Sequence, residues 1–416
     1  MMWKFGKRVA FAFLSLLMMS SVAFAEDWAQ WRGARRDGLS SEIGLLAKWP
    51  DAGPKLLWQA KNIGSGYSTP SVVSDKLFVM SNQGNEKEEV LALSTSNGNK
   101  LWSTSVGKVG SNQGPQYPGA RATPTVSGDS VYALGSDGDL VCLDIKSGQK
   151  QWSKNLRRDF EGAPGMWAYT ESPLIDGDML ICSPGGSSAT VIALQKSTGV
   201  LVWKSPMSEA DAASYASPVI ANVDGVKQYV LYLGKGIVGL KADTGELLWR
   251  YTRTSDAQAN IATPIINGNY VYSAASRVGG GLVKVTGTKS EPQELYFAKS
   301  LPAGMGGSVL LDGSLFGSIG DTMACVDYMT GKIKWQERGI GSASICYADG
   351  RLYLHGVKNE LAMIEASSEG FKLLGKCIPP GTTEHGNAKA WTHPIISNGC
   401  LYVRDQDDIW CYDIKG

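Results

Sequence analysis

The chain has 416 residues, of which 43% are hydrophobic and 19% charged, and its formal charge is +1. So balanced a charge offers no basic field for nucleic acid or an anionic membrane surface, and the apolar content is too high for a disordered chain. Its 50 glycines and 13 tryptophans, without helix-periodic stretches, point to many short strands joined by tight turns.

Lys4, Lys7 and Arg8 precede an apolar run from Val9 to Met19, and Ala23-Phe24-Ala25 follows. A basic start, a short apolar core and an A-x-A ending are the pattern of a secretory signal, expected over residues 1–25. The apolar run is too short to span a bilayer comfortably, and no cysteine follows Ala25 to accept a lipid. The expected product is periplasmic or secreted and monomeric, with residues 26–53 an N-terminal extension and 54–416 the repeat domain.

From residue 92 onward one phrase recurs. Ala92-Leu93-Ser94 leads through Gly98 to Trp102, Cys142-Leu143-Asp144 through Gly148 to Trp152, and Ala193-Leu194-Gln195 through Gly199 to Trp203. Gly239-Leu240-Lys241 through Gly245 to Trp249 and Cys325-Val326-Asp327 through Gly331 to Trp335 repeat it, and degenerate copies end at Tyr296 and Leu373. Between the copies lies a second phrase, Ser/Thr-Pro, a few apolar residues, a Gly/Asp/Asn turn and another apolar strand, as at Thr69-Pro70, Thr123-Pro124, Ser172-Pro173, Ser217-Pro218, Thr263-Pro264 and His393-Pro394. Such turns close hairpins between alternating strands. Each unit therefore reads as a four-stranded antiparallel blade, and stacking such blades buries their faces. The last unit stops at Gly416 before its tryptophan strand, while Lys55-Leu56-Leu57-Trp58-Gln59 supplies one at the other end. The expected fold is all-β, an eight-bladed β-propeller whose ring is closed by the N-terminal strand, with seven blades the alternative.

The phrase ending in G-x-x-x-W resembles the tryptophan-docking repeat of the PQQ-like eight-bladed propellers. That group includes quinoprotein dehydrogenases and the lipoprotein that assists outer-membrane barrel assembly. Trp28-Ala29-Gln30-Trp31-Arg32-Gly33 with Arg36-Asp37-Gly38, the run Trp167 to Pro173, and Trp391-Thr392-His393-Pro394 are similar to exported bacterial members of that group. The resemblance spans nearly all of the chain after the leader. It speaks to fold more than to activity, since one propeller hosts many functions.

Trp58, Trp102, Trp152, Trp203, Trp249 and Trp335 are expected to be structural rings docked over a neighbouring blade's turn. Cys142, Cys325 and Cys411 share a repeat slot with Ala92, Ala193 and Gly239, so they read as small packing groups. The seven cysteines include no C-x-x-C and no adjacent pair. Asp405, Asp407 and Asp408 flank a hairpin, Asp137-Gly138-Asp139 is a turn, and Glu86-Lys87-Glu88-Glu89 reads as a solvated loop tip. No metal site is expected.

Residues just ahead of each inner strand ring the channel mouth. Arg121, Trp167, Tyr169, Glu171, Trp391 and His393 form the candidate ligand funnel, with Tyr67, Tyr215, Asn260 and Met305 at equivalent positions. A water-filled rim is the plainer reading of the same residues. His385 and His393 have no carboxylate at fixed spacing, so no histidine-based nucleophile is indicated. Two functions follow: a non-catalytic envelope protein binding a small molecule or a protein partner, or a PQQ-dependent oxidoreductase acting on alcohols or sugars. For the second, the resemblance implies calcium ligands, for which Glu171 and Asn260 are the available positions, together with an adjacent cysteine pair that this chain lacks. A saccharide or peptide held along the aromatic rim is a third reading.

Overall fold

The computed structural model describes residues 1, 27–111, 119–207, 211–383, 386 and 388–416. The expected signal segment and His385 lie outside them. Eight four-stranded antiparallel sheets follow one another along the chain, each in meander order. We number the blades 1 to 8 by their spans: 71–108, 125–155, 174–205, 219–251, 265–298, 308–337, 343–377, and 395–413 with 55–60. The helix among the described residues is one turn, Leu156–Asp159.

Ring closure follows the expected pairing. The N-terminal strand Lys55–Ala60 runs antiparallel to the last strand, with Leu56 opposite Tyr412 and Trp58 opposite Cys411. The pairing covers the sheet edge that the strand Asp408–Asp413 would otherwise present.

Across each outer strand pair, the tryptophan faces a small residue: Ala92–Trp102, Cys142–Trp152, Ala193–Trp203, Gly239–Trp249 and Cys325–Trp335. This explains the shared Ala/Gly/Cys slot. The indole N–H groups then cross to the next blade. Trp58 donates to the Thr95 carbonyl at 2.7 Å, Trp102 to Ile145 at 3.3 Å and Trp152 to Lys196 at 2.9 Å. Trp203 and Trp335 reach Ala242 and Ser367 in the same way, at 3.1 and 2.8 Å. The repeat glycine receives the ring of the preceding blade: a Cβ on Gly245, whose φ is +73°, would lie 2.5 Å from the Trp203 ring.

Trp249 departs from this expectation. Its N–H donates to Gln228 Oε1 of its own blade at 2.7 Å, and the Gln228 amide makes the crossing, donating to the Thr286 carbonyl of blade 5 at 3.0 Å. The ring turns back because Gly239 leaves room beside it; a Cβ there would come within 2.2 Å of the indole. The run at 86–89 is the other correction. Glu88 lies within the strand Lys87–Ser94 and is fully buried, because its carboxylate reaches across to accept the Ser136 amide of blade 2 at 2.6 Å.

Residues 28–42 do not trail outside the ring; they cross its axis and bond to all eight blades. Trp28 exchanges backbone hydrogen bonds with Val72 of blade 1, and the Ala29 carbonyl accepts the Val126 amide of blade 2. Arg36 donates to the carbonyls of Ser172 and Pro173, which lead into blade 3, and of Pro218, which leads into blade 4. Trp31 donates to Thr263 ahead of blade 5 at 2.9 Å, and Arg32 to the Ser308 carbonyl of blade 6. Gly38 and Ser40 pair with Tyr347 of blade 7, and Glu42 accepts the Gly399 amide of blade 8 at 2.6 Å. Both arginines are almost wholly buried, and both hold the left-handed backbone conformation, with φ of 59° and 60°. Non-glycine residues adopt that conformation at a cost when the surroundings hold them there.

Two outcomes are expected. Deleting residues 27–60 removes both the closing strand and the axial segment, and should produce aggregates by size-exclusion chromatography; a deletion variant that elutes without aggregates and melts unchanged contradicts the closure. Gly239→Ala should lower stability by about 1–3 kcal/mol in urea titrations, as overpacking does, although alanine is the resident residue at this slot in blades 1 and 3. Trp249→Phe in the same chain should recover part of the loss.

Candidate functional site

On one side of the axial segment the channel widens into a cavity of about 510 Å³. Trp31, carried on that segment, is part of its lining, so the chain's own N-terminal portion bounds the space. The residues ahead of the inner strands supply much of the wall: Tyr67, Arg121, Trp167, Tyr215, Met305 and Trp391, with His393 beside Trp31.

Four of the six funnel candidates, Arg121, Trp167, Trp391 and His393, therefore meet in one cavity. Tyr169 and Glu171 do not join them. Ala168 takes a φ of 65°, which breaks the alternation of the extended segment between Trp167 and Tyr169. Beyond the break Thr170 and Ser172 face the cavity while Tyr169 and Glu171 turn into the blades. The Tyr169 hydroxyl donates to the Pro184 carbonyl at 2.8 Å, and Glu171 accepts the Ser183 amide. Asn260 is likewise committed: its amide donates to the Leu233 carbonyl and to Ser255, and its oxygen accepts the Asp256 amide.

The walls are aromatic pairs in mutual contact. Tyr67 and Trp391 lie 5.1 Å apart at 37°, Trp167 and Tyr215 5.4 Å apart at 60°, and Trp31 and His393 4.7 Å apart at 73°. The Arg121 guanidinium stands 5.7 Å over the Tyr67 ring and donates to the Trp167 carbonyl at 3.4 Å. At the rim Arg277 grips Asp256 through two hydrogen bonds of 2.7 and 2.5 Å. Sequence reasoning missed Trp31, Asp256 and Arg277. The first belongs to a segment with no repeat partner, and the other two sit on loops outside the Ser/Thr-Pro phrase.

Burial sets the charge states. Desolvation, with the Arg32 charge adding to it, pushes His393 down to about 3, so this imidazole is neutral at physiological pH. The hydrogen bonds from Arg277 hold Asp256 below the usual carboxylate range. Desolvation raises both Glu88 and Glu171 to about 7, opposed for each by the backbone amide it accepts. It also lowers Arg32 to about 10 and Arg36 to about 9, which leaves both cationic. Burial pushes the Cys142 and Cys325 thiols up. No group of three His, Cys, Asp or Glu that could hold a metal ion occurs among the described residues.

The family model described as outer membrane protein assembly factor BamB matches residues 39–165 and 118–337. A quinoprotein ethanol dehydrogenase of Pseudomonas aeruginosa is 31% identical over 94 residues, 23% of this chain and 15% of that protein. Outer membrane protein assembly factor BamB of Salmonella typhimurium is 28% identical over 162 residues, 38% of this chain and 36% of that protein. The chain thus spans well under two thirds of either relative. Among solved structures, BamB from Moraxella catarrhalis superposes with a TM-score of 0.62 at 14% identity, covering 87% of this chain and 100% of that one. Quinohemoprotein alcohol dehydrogenase from Comamonas testosteroni gives 0.66 at 14% identity, covering 94% and 81%. Identities this low speak for the shared fold.

The raised carboxylates predict a pH signature. A carboxyl whose folded pKa is raised contributes stability that is fully present below its unfolded pKa and is lost as pH rises through the folded value. For Glu171 that window runs from 4.5 to about 7. His393 acts in the opposite sense: its contribution is present above 6.5 and lost as pH falls toward about 3. The comparison to make is therefore between Glu171→Gln and the unaltered chain. The variant's urea midpoint should fall less between pH 4.5 and 7, and parallel profiles contradict the assignment.

Proposed function

Because this chain belongs to the family of the outer membrane protein assembly factor BamB, we propose that it is an exported binding protein of the cell envelope that holds a ligand in its channel cavity without altering it. One observation carries the non-catalytic reading: among the described residues, the carboxylate, imidazole and guanidinium groups of the cavity lining are already committed. Asp256 is held ionised by Arg277, His393 is neutral and packed against Trp31, and Arg121 lies over Tyr67. A general base works best with a pKa near the operating pH, and neither Asp256 nor His393 stands there. No helix among the described residues is long and apolar enough to cross a membrane, which is compatible with a mature protein that works in the periplasm or outside the cell.

The match to a quinoprotein ethanol dehydrogenase raises a second reading, in which PQQ and calcium occupy the channel. The residues present do not fit that pair. Calcium takes six or more oxygen ligands, whereas Asp256 is the one carboxylate that the described residues bring to the lining, and it is held by Arg277. Glu171 and Asn260, the other ligand positions, are spent on backbone groups. No catalytic step is derived through the quinone.

The test is a titration of the purified protein with PQQ and calcium, followed by dye-linked assays with ethanol and with glucose as substrates. The expected result is no dye reduction beyond that of PQQ and calcium without protein. Substrate-dependent reduction abolished by Asp256→Asn would establish the oxidoreductase and end the binding-only reading.

A further inference from the structure

We infer that the channel cavity takes an uncharged, predominantly apolar small molecule, an inference that rests on the cavity's being a ligand site and adds the chemical class of the ligand.

The polar groups of the lining are the first reason, because the fold already uses them. The Ser172 and Ser217 hydroxyls belong to the Ser/Thr-Pro phrase and tie neighbouring blades together, accepting the Thr123 and Ser172 amides at 2.9 Å each. Thr69 does the same for the His393 amide at 3.0 Å, so the hydroxyl of this phrase serves the ring. Thr170 donates to the Tyr215 carbonyl at 3.2 Å and Ser276 to the Ala303 carbonyl at 2.8 Å. The Trp31 indole donates to Thr263 at 2.9 Å, and the Tyr215 hydroxyl accepts the Trp167 amide at 3.2 Å. A ligand rich in hydroxyls would give up its water to meet groups that already have partners, and polar groups desolvated without replacement are costly.

Charge is the second reason. Arg121 donates to the Trp167 carbonyl, lies over the Tyr67 ring and has further interactions, so it is not a free cation. Arg277 is held by Asp256, whose side chain is 5% exposed. To answer an ionised ligand, one of these guanidiniums would have to leave its present partners, and at Arg277 that strands a buried carboxylate. His393 is neutral and packed against Trp31. An uncharged ligand asks for none of these exchanges.

The third reason is the surface that remains. Trp167, Trp391, Met166, Met305 and Ile261 line the same cavity, and all five keep some exposure, Met166 as much as 39%. Large apolar side chains gathered in one concavity and left open to water mark a binding site. The two unbranched thioether chains can adjust to the outline of what enters. The volume of about 510 Å³ lies within the roughly 300–1,000 Å³ usual for small-molecule sites. A polypeptide fits less well, because its backbone N–H and C=O groups would face rings and thioethers instead of hydrogen-bond partners.

The experiment compares two dyes that share a skeleton and differ in charge. Phenylnaphthylamine is neutral, anilinonaphthalene sulfonate adds one anionic group, and both brighten in apolar surroundings. The full protein is titrated with each by fluorescence, and with cellobiose and a capped apolar tripeptide by calorimetry. Phenylnaphthylamine should bind with a Kd tighter than about 0.1 mM and at least tenfold tighter than the sulfonate. Changing Met166→Gln and Met305→Gln together exchanges apolar for polar groups of nearly the same size. That pair should weaken the neutral dye at least fivefold, whereas Met166→Leu with Met305→Leu should keep most of the affinity; melting curves check that both variants fold. Binding of the sulfonate, cellobiose or the tripeptide as tight as that of the neutral dye, and weakened by the glutamine pair, overturns the inference while leaving the cavity a ligand site. Neutral-dye binding that the glutamine pair leaves unchanged also overturns it. If no probe binds in a way the glutamine pair alters, the ligand-site reading falls with it.

Discussion

The carbonyls at the centre of the ring are the constraint around which this molecule is built. In each blade the innermost strand has one hydrogen-bonded neighbour, so the entries to eight strands converge on the axis with backbone groups still to be satisfied. Buried backbone acceptors without partners are costly. Arg36 answers three of these carbonyls, those of Ser172, Pro173 and Pro218, and Arg32 answers Ser308. A guanidinium suits this task because its planar fork carries five donors and spans two strands at once. The N-terminal segment thus contributes twice, as the donor set for the axis and, through Lys55–Ala60, as the last strand of the last blade.

That solution dictates the electrostatics of what lies above it. Burial disfavours a protonated imidazole at His393, and the Arg32 guanidinium 3.5 Å away adds to the effect, so this ring is held neutral. The Arg36 charge in turn favours an ionised Glu171, partly opposing the desolvation that raises that carboxyl. The cavity inherits a floor without spare charge and with one indole, Trp31, already turned edge-on to His393. Closure of the ring and the chemistry of the cavity are therefore consequences of one segment.

Periodic features of this architecture could be read from the sequence, because a repeat states its own environment several times. Five copies of the Gly-to-Trp phrase mark the blade, and the Ala/Gly/Cys slot asks for a small buried residue, which the structure places opposite the indole. Features that occur once were not legible. The left-handed turn at Ala168 reverses the facing of Tyr169 and Glu171, and nothing in Trp167-Ala168-Tyr169 marks it. Trp249 keeps the repeat spacing, yet Gly239 lets the ring fold back and hands the inter-blade contact to Gln228. Glu88 sits in a run of charges that looks solvated, but its carboxylate reaches blade 2, where it accepts a buried amide. For Ala168 the deciding fact is one backbone torsion, while for Trp249 and Glu88 it is a contact with a residue 21 and 48 positions away.

Asymmetry in the cavity follows from the same departures. The aromatic walls come from the entries to blades 1, 3, 4 and 8, where Tyr67, Trp167, Tyr215 and Trp391 precede regular inner strands. The polar rim comes from the approach to blade 5 and its central hairpin, with Asp256, Gln258, Ser276 and Arg277. Blade 5 is also where the indole bridge from blade 4 is replaced by a glutamine and where Tyr296 stands in for the repeat tryptophan, its hydroxyl reaching the Tyr328 carbonyl at 2.8 Å. A ring held by identical contacts all the way round would present identical residues to its axis. Relaxing the repeat in one blade frees its loops to carry a different chemistry, so the regular blades supply most of the aromatic surface and the irregular one supplies the Asp256–Arg277 pair.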